Sequence, residues 1–428
     1  MAVNIPKGLI RRDSDKAGTG QAITLTARAD PGTGGKTLSH FQSFAGFDTP
    51  RRRAEPGKGT RASAGLANTP GHTGMHPNGH GFDCKSTRYR RRRPMVEPPV
   101  TSRWVAGFDA RRRHNFNPME NKIVVCGASG YVGRHLVEDL VRQGHDNVVA
   151  VGRKDPCIPG ARFQEADLLN IRMCELVCFG AERVYNLAAC VGGVGFIGKH
   201  RADCMTSAAI NINLLNSLDE DIQGYLFVSS SCLYPSSTVP MKESDATPVN
   251  LDGYALEKYY SEKVCRAFYE DYEIPVRIAR LHTVYGPGDF RGLGRDHFPT
   301  AMTQAVIEAK RSGVHEVKIW GDGNQTRSLL YIDDAVDGIQ RIMNGSYAGP
   351  VNLASSEIVS VNGVVQRLEE IAAIKLQRFY CPSAPVGAQD KTSDNRLLRD
   401  LYNWEPMTSA KTGLANLYRS AWDRSLGL

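Results

Sequence analysis

Apolar residues gather into short unbroken runs from residue 122 onward and show no sustained periodicity before it. Lys122-Ile123-Val124-Val125-Cys126 is the first such run, as expected of a strand buried on both faces of a parallel sheet. A glycine-rich stretch, Gly127-Ala128-Ser129-Gly130-Tyr131-Val132-Gly133, separates it from a helical segment, Arg134 to Val141. A second strand follows from Asn147 to Val151, and Arg183 to Ala189, Tyr225 to Ser229 and Val276 to Leu281 read as further strands. Strands alternating with amphipathic helices predict an α/β fold, a doubly wound parallel sheet of the Rossmann type over residues 119–285. Beyond Tyr285-Gly286-Pro287-Gly288 the alternation loosens, which predicts a smaller C-terminal α/β substrate-binding domain over most of 286–428.

Charge sets residues 1–118 apart. They carry 21 Lys+Arg against 8 Asp+Glu, leaving 32 against 37 for the remainder, so the net +8 is a basic extension on a mildly acidic body. The extension is rich in Gly, Pro, Thr, Ser and Arg and cannot bury enough apolar surface to offset its ordering entropy, which predicts disorder. Gly46-Phe47-Asp48, Gly81-Phe82-Asp83 and Gly107-Phe108-Asp109 each precede an arginine run, a pattern open to nucleic-acid binding. Their spacing is irregular and the unit too short for a solenoid. Met119, three residues ahead of the first strand, reads as a natural start, with the upstream segment a dispensable tail. No apolar signal core opens the chain and no stretch is long and apolar enough to span a membrane. The ten cysteines show no paired metal-ligand spacing, and Cys174-x-x-x-Cys178 reads as helix core. A cytoplasmic protein with reduced thiols and no metal is the expectation.

The glycine spacing, G-x-x-G-x-x-G, suits a tight turn whose backbone amides approach a pyrophosphate at a helix N-terminus. Lying between a strand and a helix, with a second strand after, it predicts a nicotinamide site built from Gly127, Ser129, Gly130, Tyr131, Val132 and Gly133. An acid at the end of the second strand would bind the ribose 2′-hydroxyl of NAD, and an arginine would accommodate the 2′-phosphate of NADP. Here Gly152-Arg153-Lys154 occupies that place and Asp155 arrives late, so charge points to NADP unless Arg153 and Lys154 are only a solvated loop. Asp167 is either an adenine contact or a helix N-cap. Leu187, Ala188 and Ala189 end a strand beside the cofactor.

Tyr254-x-x-x-Lys258 puts a phenol and an ammonium on one helix face, one turn apart. The cation favours phenolate, so Tyr254 can take or give a proton near neutral pH. The run Ser229-Ser230-Ser231-Cys232 falls at a strand end, where the Ser230 hydroxyl can hold a substrate oxygen. Cys232 adds a second proton-transfer group, the alternative being a small buried hydrophobe. Beside a nicotinamide, this set reads as carbon–hydrogen chemistry on an alcohol or ketone.

With these motifs come Gly192-Gly193-Val194-Gly195-Phe196-Ile197, Lys242-Glu243-Ser244-Asp245, Gln325-Thr326-Arg327-Ser328 and Ser393-Asp394-Asn395. Residues 119–428 resemble the extended short-chain dehydrogenase/reductases of the NAD-dependent epimerase/dehydratase type, and within them the GDP-mannose 3,5-epimerases. The GDP-L-fucose synthases share several elements. The resemblance implies a nucleotide-sugar isomerase in which Tyr254 takes the proton of the sugar C4 hydroxyl, supported by Lys258 and Ser230, while hydride passes to bound NAD(P)⁺. The resulting 4-ketone acidifies C3 and C5, where Cys232 removes a proton and an acid on the opposite face returns one. His297 stands where the 3,5-epimerases carry that acid as a lysine, and a Cys–His pair is the fucose-synthase arrangement. Thr283 stands where the epimerases have a substrate-contacting Asn. Substrate contacts implied in the same way are Gly192, Gly193, Ser231, Gln325, Arg327 and Ser393, the planar fork of Arg327 being suited to a diphosphate. The implied partners are a GDP-sugar and a second copy of the chain, in a homodimer made through the helix of Tyr254. Two alternatives stand beside this: an epimerase-reductase consuming NADPH on a 4-keto-6-deoxy sugar, and a non-catalytic cofactor-binding protein tethered by its basic tail. The intact set of Ser230, Tyr254 and Lys258 speaks against the latter.

Overall fold

The computed structural model of the 428-residue chain describes residues 121–237, 239–248, 252–290, 292 and 295–427. The basic extension, its Gly-Phe-Asp repeats and Met119 lie outside the described residues. The first half runs β1 (Ile123–Cys126), α1 (Tyr131–Arg142), β2 (Val148–Gly152), β3 (Arg162–Glu165), α2 (Ile171–Cys178), β4 (Arg183–Asn186), α3 (Val194–Ile197), α4 (Arg201–Met205), α5 (Ser207–Asn216), β5 (Gly224–Ser230), α6 (Gly253–Tyr272) and β6 (Val276–Leu281). The second runs β7 (Thr283–Tyr285), α7 (Phe298–Ser312), β8 (Glu316–Trp320), β9 (Thr326–Tyr331), α8 (Ile332–Asn344), β10 (Pro350–Leu353), β11 (Ile358–Ser360), α9 (Val361–Ala372), β12 (Gln377–Cys381), β13 (Asp390–Lys391), α10 (Arg396–Tyr402) and α11 (Ala410–Ser425).

The main sheet has the order β3-β2-β1-β4-β5-β6-β10, with every neighbouring pair parallel. Both faces are covered, so β1 and β6 are buried at every position and read as unbroken apolar or nearly apolar runs. Leu136, Leu140, Ile339 and Ile342 pack one face, from α1 and α8. Cys174, Val177, Leu214, Leu215 and Cys265 pack the other, from α2, α5 and α6, so Cys174 and Cys178 are indeed helix-core residues. Strand order reverses between β1 and β4, which opens a crevice beyond their carboxyl ends.

The two domains interleave along the chain instead of dividing at 285/286. β7 pairs with β9 in the second sheet, and β10 returns from the C-terminal half to cover the outer edge of β6, which would otherwise present unpaired backbone groups. The smaller domain is the sheet β11-β9-β13, with β7 on β9, and the parallel pair β8–β12.

A buried polar network ties the domains. Arg280 on β6 donates Nε and Nη2 to both carboxylate oxygens of Glu262 on α6, at 2.8 and 2.7 Å, and Nη1 to the Tyr234 hydroxyl at 2.8 Å. Tyr234 donates to Asn352 Oδ1 on β10 at 2.6 Å, and Ser229 donates to Glu262 Oε1 at 2.5 Å. Burial works against the Arg280 charge, but the Glu262 carboxylate more than offsets it and holds the guanidinium pKa above its ordinary value.

Candidate active site

The carboxyl ends of β1, β2, β4 and β5 open into one cavity of about 1470 Å³ that continues under the smaller domain. Its floor follows from the glycines. Gly127 takes φ +83, and a Cβ there would lie 2.8 Å from the Leu187 carbonyl. At Gly133, in the first turn of α1, a Cβ would lie 2.3 Å from the Gly127 carbonyl oxygen. The first and third glycines therefore let loop, helix and β4 close on one another. The N-cap of α1 is Gly130, which offers no side-chain acceptor, and no acid occupies the first turn. Open amides with no competing carboxylate fit a diphosphate.

Every residue expected at the cofactor lines this cavity: Gly127, Ser129, Gly130, Tyr131, Val132, Gly133, Arg153, Asp167, Leu187, Ala188, Ala189, Tyr254 and Lys258. The buried Asn186 positions the β4 loop: its Nδ2 donates to the Tyr225 hydroxyl at 2.8 Å and its Oδ1 accepts from the Ala188 amide. At the end of β2, Arg153 is exposed toward the cavity, while the Asp155 carboxylate turns away to accept the Cys157 amide. Asp167 is not the cap of α2. Asn170 is, accepting from the Arg172 amide, while Asp167 accepts from the Leu169 amide.

The expected catalytic residues Ser230, Cys232, Tyr254, Lys258 and His297 all line the cavity too. Ser230 ends β5, and its hydroxyl accepts the Cys232 amide at 3.2 Å, which starts the tight turn. Asp252 caps α6 by accepting the Ala255 amide, so the helix carrying Tyr254 and Lys258 begins at the cavity wall. Lys258 is buried, its ammonium 3.5 Å from Glu257, 4.6 Å from the centroid of the Phe227 ring and 5.8 Å from that of Tyr254. Burial raises the Cys232 thiol to about 11.

His297 is the N-cap of α7 and half-buried. Gly192 and Gly193, expected against substrate, line the cavity, and Gly193 also seats the loop of His297. Its amide donates to the Arg295 carbonyl at 3.0 Å, and a Cβ there would lie 2.6 Å from the Asp296 carbonyl oxygen. Arg295 lies over the Phe196 ring, 4.2 Å from its centroid, and locks the same contact. Gly193→Ala is accordingly expected to displace His297 and to lower turnover about 10²-fold with cofactor binding unchanged, measured as kcat beside nucleotide affinity.

Ser231 and Arg327 line the cavity; Gln325 and Ser393 do not. Gln325 is buried and donates to the Trp320 carbonyl, and the Ser393 hydroxyl donates to Asn395 Oδ1 at 2.7 Å. Both hold the smaller domain's loops from behind the wall. The Arg327 guanidinium donates to the carbonyls of Thr326 and Gln389, and burial lowers its pKa. Two lining residues were not anticipated. His282 is buried and held neutral, its pKa lowered to about 3 chiefly by desolvation and then by Lys391. Lys391 lies two residues before Ser393, so proximity to that motif was the available signal. Among the described residues, no group of three His, Cys, Asp or Glu is placed to hold a metal ion, and no helix is long and apolar enough to cross a membrane.

A model of the NAD dependent epimerase/dehydratase family matches residues 123–354. The chain belongs to that family. It is 33% identical over 321 residues to GDP-mannose 3,5-epimerase of Arabidopsis thaliana, covering 72% of this chain and 84% of that protein. It is 28% identical to GDP-L-fucose synthase 1 of the same plant, over 69% of this chain and 92% of that one. The fold matches the crystal structure of UDP-glucose 4-epimerase from Thermotoga maritima with a TM-score of 0.65 at 22% identity, covering 71% of this chain and 99% of that one. Family membership makes the protein a nicotinamide-dependent enzyme of nucleotide-sugar metabolism and accounts for the glycine cradle at α1.

Proposed function

We propose that the protein is a nucleotide-sugar epimerase of the GDP-mannose 3,5-epimerase type. The carrying observation is that Tyr254, Cys232 and His297, from three separate parts of the chain, converge on the cavity that the cofactor residues line. The bound nicotinamide supplies a hydride acceptor at the sugar C4 and returns the hydride at the end. Tyr254 takes the C4 hydroxyl proton, with the Lys258 charge stabilising the phenolate and the Ser230 hydroxyl holding the oxygen. Cys232 removes a proton from the carbon beside the ketone, and His297 returns one from the opposite face, a step suited to a group that titrates near neutrality. Arg327 carries the diphosphate.

The test is proton NMR of GDP-mannose with the purified full chain in D₂O and no added cofactor. Deuterium at C3 or C5 with a new sugar is the expected result, and Cys232→Ser is expected to slow its entry by about 10²–10⁴-fold. A second reading, an epimerase-reductase on a GDP-4-keto-6-deoxy sugar, is favoured by Arg153 at the cavity and by the Asp155 carboxylate being turned away. An unchanged GDP-mannose spectrum, together with stoichiometric loss of NADPH absorbance on the keto sugar, would establish it. The reading includes a homodimer through α6, whose Leu256 and Tyr260 are exposed, and a cytoplasmic location, in keeping with the free thiols of all described cysteines.

A further inference from the structure

Cys232 faces a cation from the far end of the chain. Lys391 ends β13, in parallel register beside Arg327 of β9, and its side chain lines the same cavity as the thiol. Arg327 is anchored on two carbonyls, whereas Lys391 has no hydrogen-bond or ion-pair partner among the described residues. Four groups act on Cys232: Lys391 from β13, the Ser230 hydroxyl from β5, Asp252 at the cap of α6, and Lys258 within α6. Burial is the largest influence and raises the thiol. Lys391 is the strongest of the groups that oppose it, ahead of Ser230 and Lys258, while Asp252 works with burial. The effect is mutual: burial lowers the Lys391 ammonium, and Cys232 is the foremost group raising it. A thiol left to burial and Asp252 would hold its proton at neutral pH and be a poor base, since the thiolate is the reactive form.

We propose that Lys391 is the cation that stabilises the Cys232 thiolate, a positioning residue that sets the acid–base behaviour of the thiol without touching the reacting carbon. The proposal rests on the reading of Cys232 as a proton-transfer group. It places the tuning charge on the smaller domain and the thiol on the larger one. The thiol becomes an effective base only when the two domains are docked as they are here.

The test needs no substrate. The full chain is treated with iodoacetamide across a pH series, and alkylation of the Cys232 peptide is followed by mass spectrometry. The exposed Cys157 serves as the internal reference. Lys391→Met is expected to raise the pH of half-maximal Cys232 alkylation by about one unit, hence about tenfold slower labelling below it, with Cys157 unchanged. Lys391→Arg is expected to keep the wild-type profile, and Lys391→Gln repeats the comparison if Met upsets folding, which nucleotide binding monitors. Superimposable wild-type and Met profiles would overturn the proposal, as would an Arg variant shifted as far as Met. Deuterium entry that survives in Cys232→Ser would instead remove the role of Cys232 as base and leave the alkylation result standing.

Discussion

Tyr254→Phe is expected to bind nucleotide and fold as the parent does and to lose about 10²–10⁴-fold in turnover, because one proton-transfer group is gone and nothing else in reach replaces it. Lys258 cannot serve instead: its ammonium is buried, held 3.5 Å from Glu257 and packed over Phe227. Its charge acts through the phenol, whose ring centroid is 5.8 Å away. The same variant should show no deuterium entry beside C4, since no ketone forms. Turnover within a few-fold of the parent would remove Tyr254 from the chemistry and with it the proposed reaction. Lys258→Met should act in the same direction on kcat, with the pH profile shifted upward as the phenolate loses its cation.

Arg280→Met is expected to destabilise the fold by about 3–5 kcal/mol, the cost of leaving Glu262 charged and unpaired in the interior. The loss should appear as a lower denaturant midpoint with an unchanged slope. Glu262 also holds the hydroxyl of Ser229, and Arg280 also holds Tyr234, which reaches Asn352 on β10. The paired replacement Arg280→Met with Glu262→Gln should recover much of the loss, because no uncompensated charge remains. A single variant as stable as the parent would show that the network is not under the strain of burial.

Interactions within a few residues were legible in the chain, and those between distant segments were not. The glycine loop was readable because its glycines fall within seven residues and each has a local reason, a positive φ at Gly127 and a helix seat at Gly133. Tyr254 and Lys258 were readable because helix periodicity alone puts them on one face. His297, by contrast, reaches the cavity only through its loop's contact with Gly193, and Lys391 only through the pairing of β13 with β9. Gln325 and Ser393 belong to the same motifs as Arg327 and Lys391, yet their side chains turn to Trp320 and Asn395 behind the wall. Motif membership marks a loop, and packing decides which of its side chains faces in.

By itself the amino-acid sequence determined the parallel sheet, the nucleotide cradle, the helix of Tyr254 and Lys258, and the strand end that carries Ser230 and Cys232, because each follows from short-range periodicity and backbone freedom. Only the tertiary structure decided that β10 closes the main sheet from the C-terminal half and that Lys391 faces Cys232. It likewise decided that Gly193 carries the loop of His297. Those relations are made by long-range strand pairing and by the desolvation that domain docking imposes, and neither leaves a local pattern in the chain.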